Sequence, residues 1–221
     1  MKYLLHIDTS TDIGTVAIGG DGELVAQRVN HESRNHASTL NIMVDEVLEE
    51  ANITLDQLSG IVVCAGPGSY TGLRIGMATA KGYCYALDKP LLLDNRLTLL
   101  AYRAYTQHQG FEYYAVMIKA RESEYFICIY NKSFVCTMEP QHILEADLNG
   151  IFEKIENIYI TTDAPESVIY DLKVNNSTID YSILIDVTSW LFYGFDRYKC
   201  NDIVNLATAE PFYLKQVYTH K

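Results

Sequence analysis

No apolar run in this 221-residue chain approaches the ~20 residues that a membrane-spanning helix needs. The stretch Met1–Asp8 is also too short in apolar residues for a signal peptide. Basic residues are scarce, with 17 Lys and Arg against 28 Asp and Glu, a net charge of −11. Without a Lys/Arg run, such a surface repels a polyanion, which argues against direct DNA or RNA binding as the main task. The five cysteines (Cys64, Cys84, Cys128, Cys136, Cys200) are odd in number and form no CxxC. They read as reduced thiols packed as small hydrophobes. Prolines number only five, and no Pro- or Ser-rich linker divides the chain. The expectation is a soluble, cytoplasmic protein with no membrane contact.

Motifs of catalysis are missing as well. The glycine segment Gly66-Pro67-Gly68-Ser69-Tyr70-Thr71-Gly72 fits neither GxGxxG nor GxxxxGK[ST], and Arg74 stands where no P-loop lysine would be. No G-x-S-x-G elbow supplies a nucleophile, and neither Ser69 nor Ser33 has an evident base. His31 and His36, five apart, would point ~140° away from each other on a helix. An i, i+4 pair, by contrast, meets on one metal. No catalytic residue and no metal site is expected.

What is present is organised. Tyr3–Ile7, Gly14–Ile18 and Glu23–Val29 read as a three-stranded meander, its second turn marked by Gly19-Gly20-Asp21-Gly22. Leu40, Met43, Val44, Val47, Leu48 and Ala51 fall on one helical stripe, with Asp45, Glu46, Glu49 and Glu50 opposite. Ile61–Ala65 reads as a buried strand, followed by a helix to about Leu87 with Ser69 and Thr71 as N-cap candidates. That helix places Gly72, Gly76, Ala80 and Cys84 four apart, a row of small side chains. Interior glycine costs ~1 kcal/mol against alanine, so a close neighbour must offset it. Spacing alone leaves open whether that neighbour is in the same chain or in a second one.

Leu91–Leu93 continues as a strand and Leu97–Tyr105 as a helix, with a boundary expected around Thr106–Gly110. Strands are then expected at Tyr113–Ile118, Tyr125–Tyr130, Phe134–Met138 and Asn157–Thr161. Helices are expected around Ile143–Phe152 and Asp186–Tyr198. The order of three meander strands, helix, strand and helix thus occurs early and again, more faintly, late. Duplicated α/β units explain that order. Asp8-Thr9-Ser10-Thr11 closes the first strand. A carboxylate beside hydroxyls suits hydrated Mg²⁺ and phosphate, although such a cluster also satisfies its own backbone as a turn.

These residues resemble the TsaB (YeaZ) family. The likeness rests on Leu5-His6-Ile7-Asp8-Thr9-Ser10, Glu32-Ser33-Arg34-Asn35-His36 and the segment Gly66–Gly76. Ile118-Lys119-Ala120-Arg121 and Glu210-Pro211-Phe212-Tyr213-Leu214-Lys215 complete it, in order along the chain. The resemblance implies an actin-like (ASKHA, ribonuclease H-like) duplicated fold of two packed lobes. They would be residues 1–106, carrying the dimerisation helices, and 107–221, whose C-terminal helix returns to the first lobe. It also implies a noncatalytic partner in threonylcarbamoyladenosine synthesis on tRNA. Such a protein pairs with a TsaD-type paralogue through helices at roughly His36–Asn52 and Thr71–Leu87, and a TsaE-type ATPase docks on the pair.

On that basis the partner-binding residues are His36, Leu40, Met43, Gly72, Ile75, Gly76, Thr79 and Tyr83, and the glycine row faces the partner. Asp8, Thr9, Ser10 and Thr11 are a remnant phosphate site. The chain alone binds no cofactor, ATP and Mg²⁺ belong to the assembled complex, tRNA is met only indirectly, and a homodimer is the alternative pairing when no partner is present. Departures from enzymatic relatives agree with this reading. Only His36 stands near an HxxxH motif, and no glycine closely follows Asp8. Thr161-Thr162-Asp163-Ala164-Pro165 stands where ATPases carry glycines, and Lys119 replaces the Asp of Ile-Asp-Ala-Arg. The alternatives are an actin-like Mg-ATP-dependent kinase and a glycoprotease-like hydrolase.

Overall fold

The computed structural model describes residues 1–32 and 35–214. By internal contacts these form two compact units. The first is Met1–Arg96 with Val187–Phe212; the second is Leu97–Asp186 with Tyr213 and Leu214. The division falls ten residues before the boundary expected from composition.

In the first unit the meander is β1 (Tyr3–Asp8), β2 (Gly14–Gly20) and β3 (Glu23–Asn30). Asp21 and Gly22 alone make the second turn, both at positive φ (51° and 93°). That is the two-residue geometry whose twist matches paired strands. Helix α1 (His36–Ala51) follows, then β4 (Leu58–Gly66), α2 (Tyr70–Leu87) and β5 (Leu91–Asn95). The strands align as β3-β2-β1-β4-β5, antiparallel through the meander and parallel from β1 to β5. Leu40, Met43, Val44 and Val47 of α1 and Met77, Ala80 and Cys84 of α2 pack on the sheet's Leu5, Ile7, Val16, Ile61 and Val63.

The second unit holds α3 (Arg96–Gln107), β6 (Tyr113–Arg121), β7 (Glu124–Asn131), β8 (Cys136–Leu144), α4 (Leu148–Phe152), β9 (Glu156–Thr162), α5 (Glu166–Asp171) and β10 (Asn175–Asp180). Its sheet, read from the far edge, is β8-β7-β6-β9-β10, the same order and the same change from antiparallel to parallel. The expected duplication of α/β units is therefore present, strand for strand.

Several details differ from expectation, among them helix α5, which the sequence reading did not place. The strand expected at Phe134–Met138 begins later and runs on to Leu144, because Phe134 sits at φ 55° in the turn before it. The helix expected from Ile143 is only Leu148–Phe152, with a 3-10 turn at Glu145–Asp147. Strand β10 has no counterpart in the sequence reading, since Asn175-Asn176-Ser177-Thr178 is a polar, exposed edge. One buried guanidinium organises this end: Arg103 donates to Asp180, to the Ser182 hydroxyl and carbonyl and to the Leu184 carbonyl.

The last helix, α6 (Val187–Lys199), belongs to the first unit. It is held from inside. Trp190 Nε1 donates to Asp94 Oδ2 at 2.7 Å, Arg197 pairs with the same carboxylate, and the Trp190 ring meets His6 edge-on at 5.0 Å. Beyond α6, Phe212 N donates to Ala65 O at 2.8 Å; Lys215 of the C-terminal motif lies outside the described residues.

His6 is fully buried, its Nε2 has no partner, and burial lowers its pKa from 6.5 to about 3. Between those values the unfolded chain binds a proton that the native protein refuses. Stability is therefore complete above pH 6.5 and falls on acidification, by up to about 1.4 kcal/mol per pH unit. Denaturant unfolding at several pH values should show this slope in the wild type, and His6→Leu should remove it.

Candidate functional site

β1 ends at Asp8, and the turn that follows is braced by its own side chains. Asp8 Oδ1 accepts from Ser10 N at 2.8 Å, and Thr11 Oγ1 both donates to Ile13 O and accepts from Ile13 N at 3.1 Å. The turn then meets α2. Thr9 Oγ1 donates to Gly72 O at 2.7 Å, and Ser69 N donates to Ser10 O at 2.7 Å. Ser69 in turn caps α2 by accepting from Gly72 N at 3.2 Å. The Cys64 thiol lies 3.7 Å from Ser10 Oγ and burial raises its pKa well above the usual range, so it is inert. Asp8, Thr9 and Ser10 are all buried.

This contact identifies the neighbour of the glycine row. A Cβ on Gly68 would lie 2.1 Å from Ser10 O, one on Gly72 2.0 Å from Thr9 O, and one on Gly76 2.4 Å from Thr9 Oγ1. The row Gly72, Gly76, Ala80 and Cys84 therefore faces inward, towards the turn and the sheet of its own chain. Gly72 and Gly76 are thus corrected as partner-contact residues. So are Leu40 and Met43, which are core residues, and His36, which is 6% exposed and bonds Thr11 O through Nε2 at 2.9 Å. The apolar stripe of α1 covers the sheet, where it is withdrawn from water.

Ile75, Thr79 and Tyr83 remain partly open to solvent. They sit beside a second small-residue row that the sequence reading passed over, Ala78, Gly82 and Ala86, all exposed and again four apart. A Cβ on Gly82 would meet nothing within 4 Å. The signal was present, since both rows have the same spacing; only the burial of Leu73 and Met77 tells which one turns inward. A groove runs between α1 and α2, lined by Asn41, Thr79, Gly82, Tyr83 and Ala86. Tyr83 Oη donates to Asn41 Oδ1 at 3.1 Å across it. Partial burial and the nearby Asp45 raise the Tyr83 pKa, so the phenol stays a neutral donor. Ile42 and Tyr85 stand exposed on the outer surface of the same two helices.

In the second unit, Lys119 N donates to Asp163 Oδ1 at 2.6 Å, and Thr162 Oγ1 accepts from Ala164 N at 3.0 Å. The Asp163 carboxylate is thus engaged by the backbone of residue 119. Among the described residues no three His, Cys, Asp or Glu side chains gather as a metal site, and no helix is long and apolar enough to cross a membrane. Ser33 and Arg34 lie outside the described residues.

Residues 24–211 match the family model described as TsaD, tRNA N6-adenosine threonylcarbamoyltransferase. The tRNA threonylcarbamoyladenosine biosynthesis protein TsaB of Haemophilus influenzae is 30% identical over 175 residues, covering 79% of this chain and 69% of that protein. The chain belongs to the TsaB (YeaZ) family. The solved structure of YeaZ from Pseudomonas aeruginosa superposes with a TM-score of 0.80 at 26% identity, covering 97% of this chain and all of that one. The tRNA N6-adenosine threonylcarbamoyltransferase of Enterococcus faecalis is 33% identical over 119 residues. The match covers 47% of this TsaB-family chain but only 34% of the transferase.

The two rows of α2 predict opposite responses to the same substitution. Gly72→Ala forces a methyl group against the Thr9 backbone and should cost about 2–3 kcal/mol. Gly82→Ala fills open space and removes a flexible helical residue, so it should gain about 0.5–1 kcal/mol. Thermal or denaturant unfolding of the two variants checks both signs.

Proposed function

We propose that this chain is a noncatalytic docking subunit for threonylcarbamoyl transfer to tRNA. Membership of the family supports a role in tRNA threonylcarbamoyladenosine biosynthesis. In this reading the chain pairs with a TsaD-type transferase through the outward face of α1 and α2, at Ile75, Thr79 and Tyr83 with Ala78, Gly82 and Ala86. A small-residue ridge beside a groove lets a partner helix approach closely and pack ridge into groove. A homodimer of the chain alone would use the same face isologously. Docking of a TsaE-type ATPase on the pair is carried by the resemblance. With a net charge of −11, contact with tRNA phosphates is left to the partners.

The observation that carries the noncatalytic reading is the engagement of the remnant phosphate turn. The Thr9 and Thr11 hydroxyls are bonded to backbone, the Ser10 hydroxyl is against Cys64, and the α2 backbone lies where a Cβ would not fit. A kinase would need these hydroxyls and the adjoining space for phosphate. ATP and Mg²⁺ then enter only with the assembled complex, and titration of the isolated chain with Mg-ATP should give no heat of binding. Micromolar binding abolished by Asp8→Ala would instead favour the kinase.

Docking is tested by co-elution with the TsaD-type protein of the same organism. Gly82→Leu should abolish the pair while leaving the melting temperature at or above that of the wild type. Normal co-elution of Gly82→Leu would contradict this face as the interface.

A further inference from the structure

His36 was expected on the docking face, yet it is buried at the start of α1. Its Nε2 lies 2.9 Å from the Thr11 carbonyl, which can only accept, so Nε2 carries the proton. The other edge of the ring lies over Gly14, the first residue of β2, where a Cβ would stand 2.9 Å from Nδ1. The imidazole is thus seated between the turn and β2, with space made for it by a residue lacking a side chain.

The Asp8–Ile13 turn therefore has ties on two sides. Towards α2 it holds Gly72 through the Thr9 hydroxyl and Ser69 through the Ser10 carbonyl. Towards α1 it is held by His36 through the Thr11 carbonyl. Its interior bonds, Asp8 to Ser10 and Thr11 to Ile13, leave little slack between the two sides. A direct side-chain bond joins the helices from Tyr83 to Asn41, at the open groove. The turn is a buried polar connection between the same two helices, at their N-terminal ends, beside the apolar packing they share over the sheet.

We propose that His36 is a positioning residue for partner docking: through the Asp8–Ile13 turn it sets the placement of α1 against α2, and hence the shape of the groove, without touching the partner. A helix partner reads that placement at the ångström scale, because close ridge-and-groove contact tolerates little misfit. The turn that relatives with kinase chemistry would devote to phosphate then works here as a clasp between the two docking helices. The inference rests on the docking reading above.

The test is the dissociation constant for the TsaD-type protein of the same organism, measured at a temperature where every variant is fully folded. His36→Ala should weaken association at least tenfold. His36→Gln, whose amide can donate to the same carbonyl, should restore it to within threefold of wild type. Gly14→Ala, which pushes on the ring from its other side without altering any outward residue, should weaken association severalfold. Arg103→Met loosens the second unit instead and should leave the constant unchanged at matched loss of melting temperature, which separates positioning from general destabilisation. Wild-type binding by a folded His36→Ala chain, or by Gly14→Ala should the first not fold, overturns the positioning role alone. A wild-type chain that does not associate overturns the docking reading and this inference together.

Discussion

The contact on which the first unit depends is backbone against backbone. The turn after β1 lies so close to the opening of α2 that three successive positions there, Gly68, Gly72 and Gly76, have no space for a methyl group. The approach delivers the Ser69 N–H to the Ser10 carbonyl and the Thr9 hydroxyl to the Gly72 carbonyl. It also fixes the rotation of α2 about its axis. With the glycine row turned in, Leu73 and Met77 are buried with it, and Ala78, Gly82 and Ala86 are turned to solvent. The outward face of the helix is therefore a consequence of the inward one.

The same contact engages the hydroxyls of the turn. Those of Thr9 and Thr11 donate to backbone carbonyls of the chain itself. What those bonds provide is order: a buried polar turn whose donors and acceptors are paired rigidifies the elements around it. The second unit repeats the strand order of the first but is finished differently. It has shorter helices, a polar edge strand, and Arg103 tying the residues after β10 to α3. The first unit also gains α6, seated by Trp190 and Arg197 on the buried Asp94. Duplication accounts for the common topology, and these local additions account for the asymmetry.

Much of this was legible in the sequence. Apolar periodicity placed α1, the Gly-Asp-Gly hairpin signal placed the meander, the glycine turn with its hydroxyl N-caps placed α2, and the conflict between glycine and helix in residues 72–76 marked the contact that matters most. Its direction was not legible, because α2 carries two small-residue rows at the same spacing, and size alone does not say which row is inside. Burial does, through Leu73 and Met77 at the flanks of the inner row. Strand β10 was missed because an edge strand needs no apolar face, and α4 was expected too long because Ile143 and Leu144 read equally well as helix or strand. His36 illustrates a different limit. A histidine at the head of an amphipathic helix looks like a surface residue until Gly14, twenty-two positions earlier, is seen to make room for it.

If this chain acts by docking and not by catalysis, as we propose, transfer itself is the most direct measure. Threonylcarbamoyl transfer to tRNA should be reconstituted from the purified components of the same organism, with this chain present, absent, or replaced by an Asp8→Asn variant, whose amide oxygen can still accept from Ser10 N. Transfer should require the chain, and Asp8→Asn should support it as well as the wild type does. Transfer that proceeds equally without the chain, or that is lost with Asp8→Asn while the pair still forms, would contradict this.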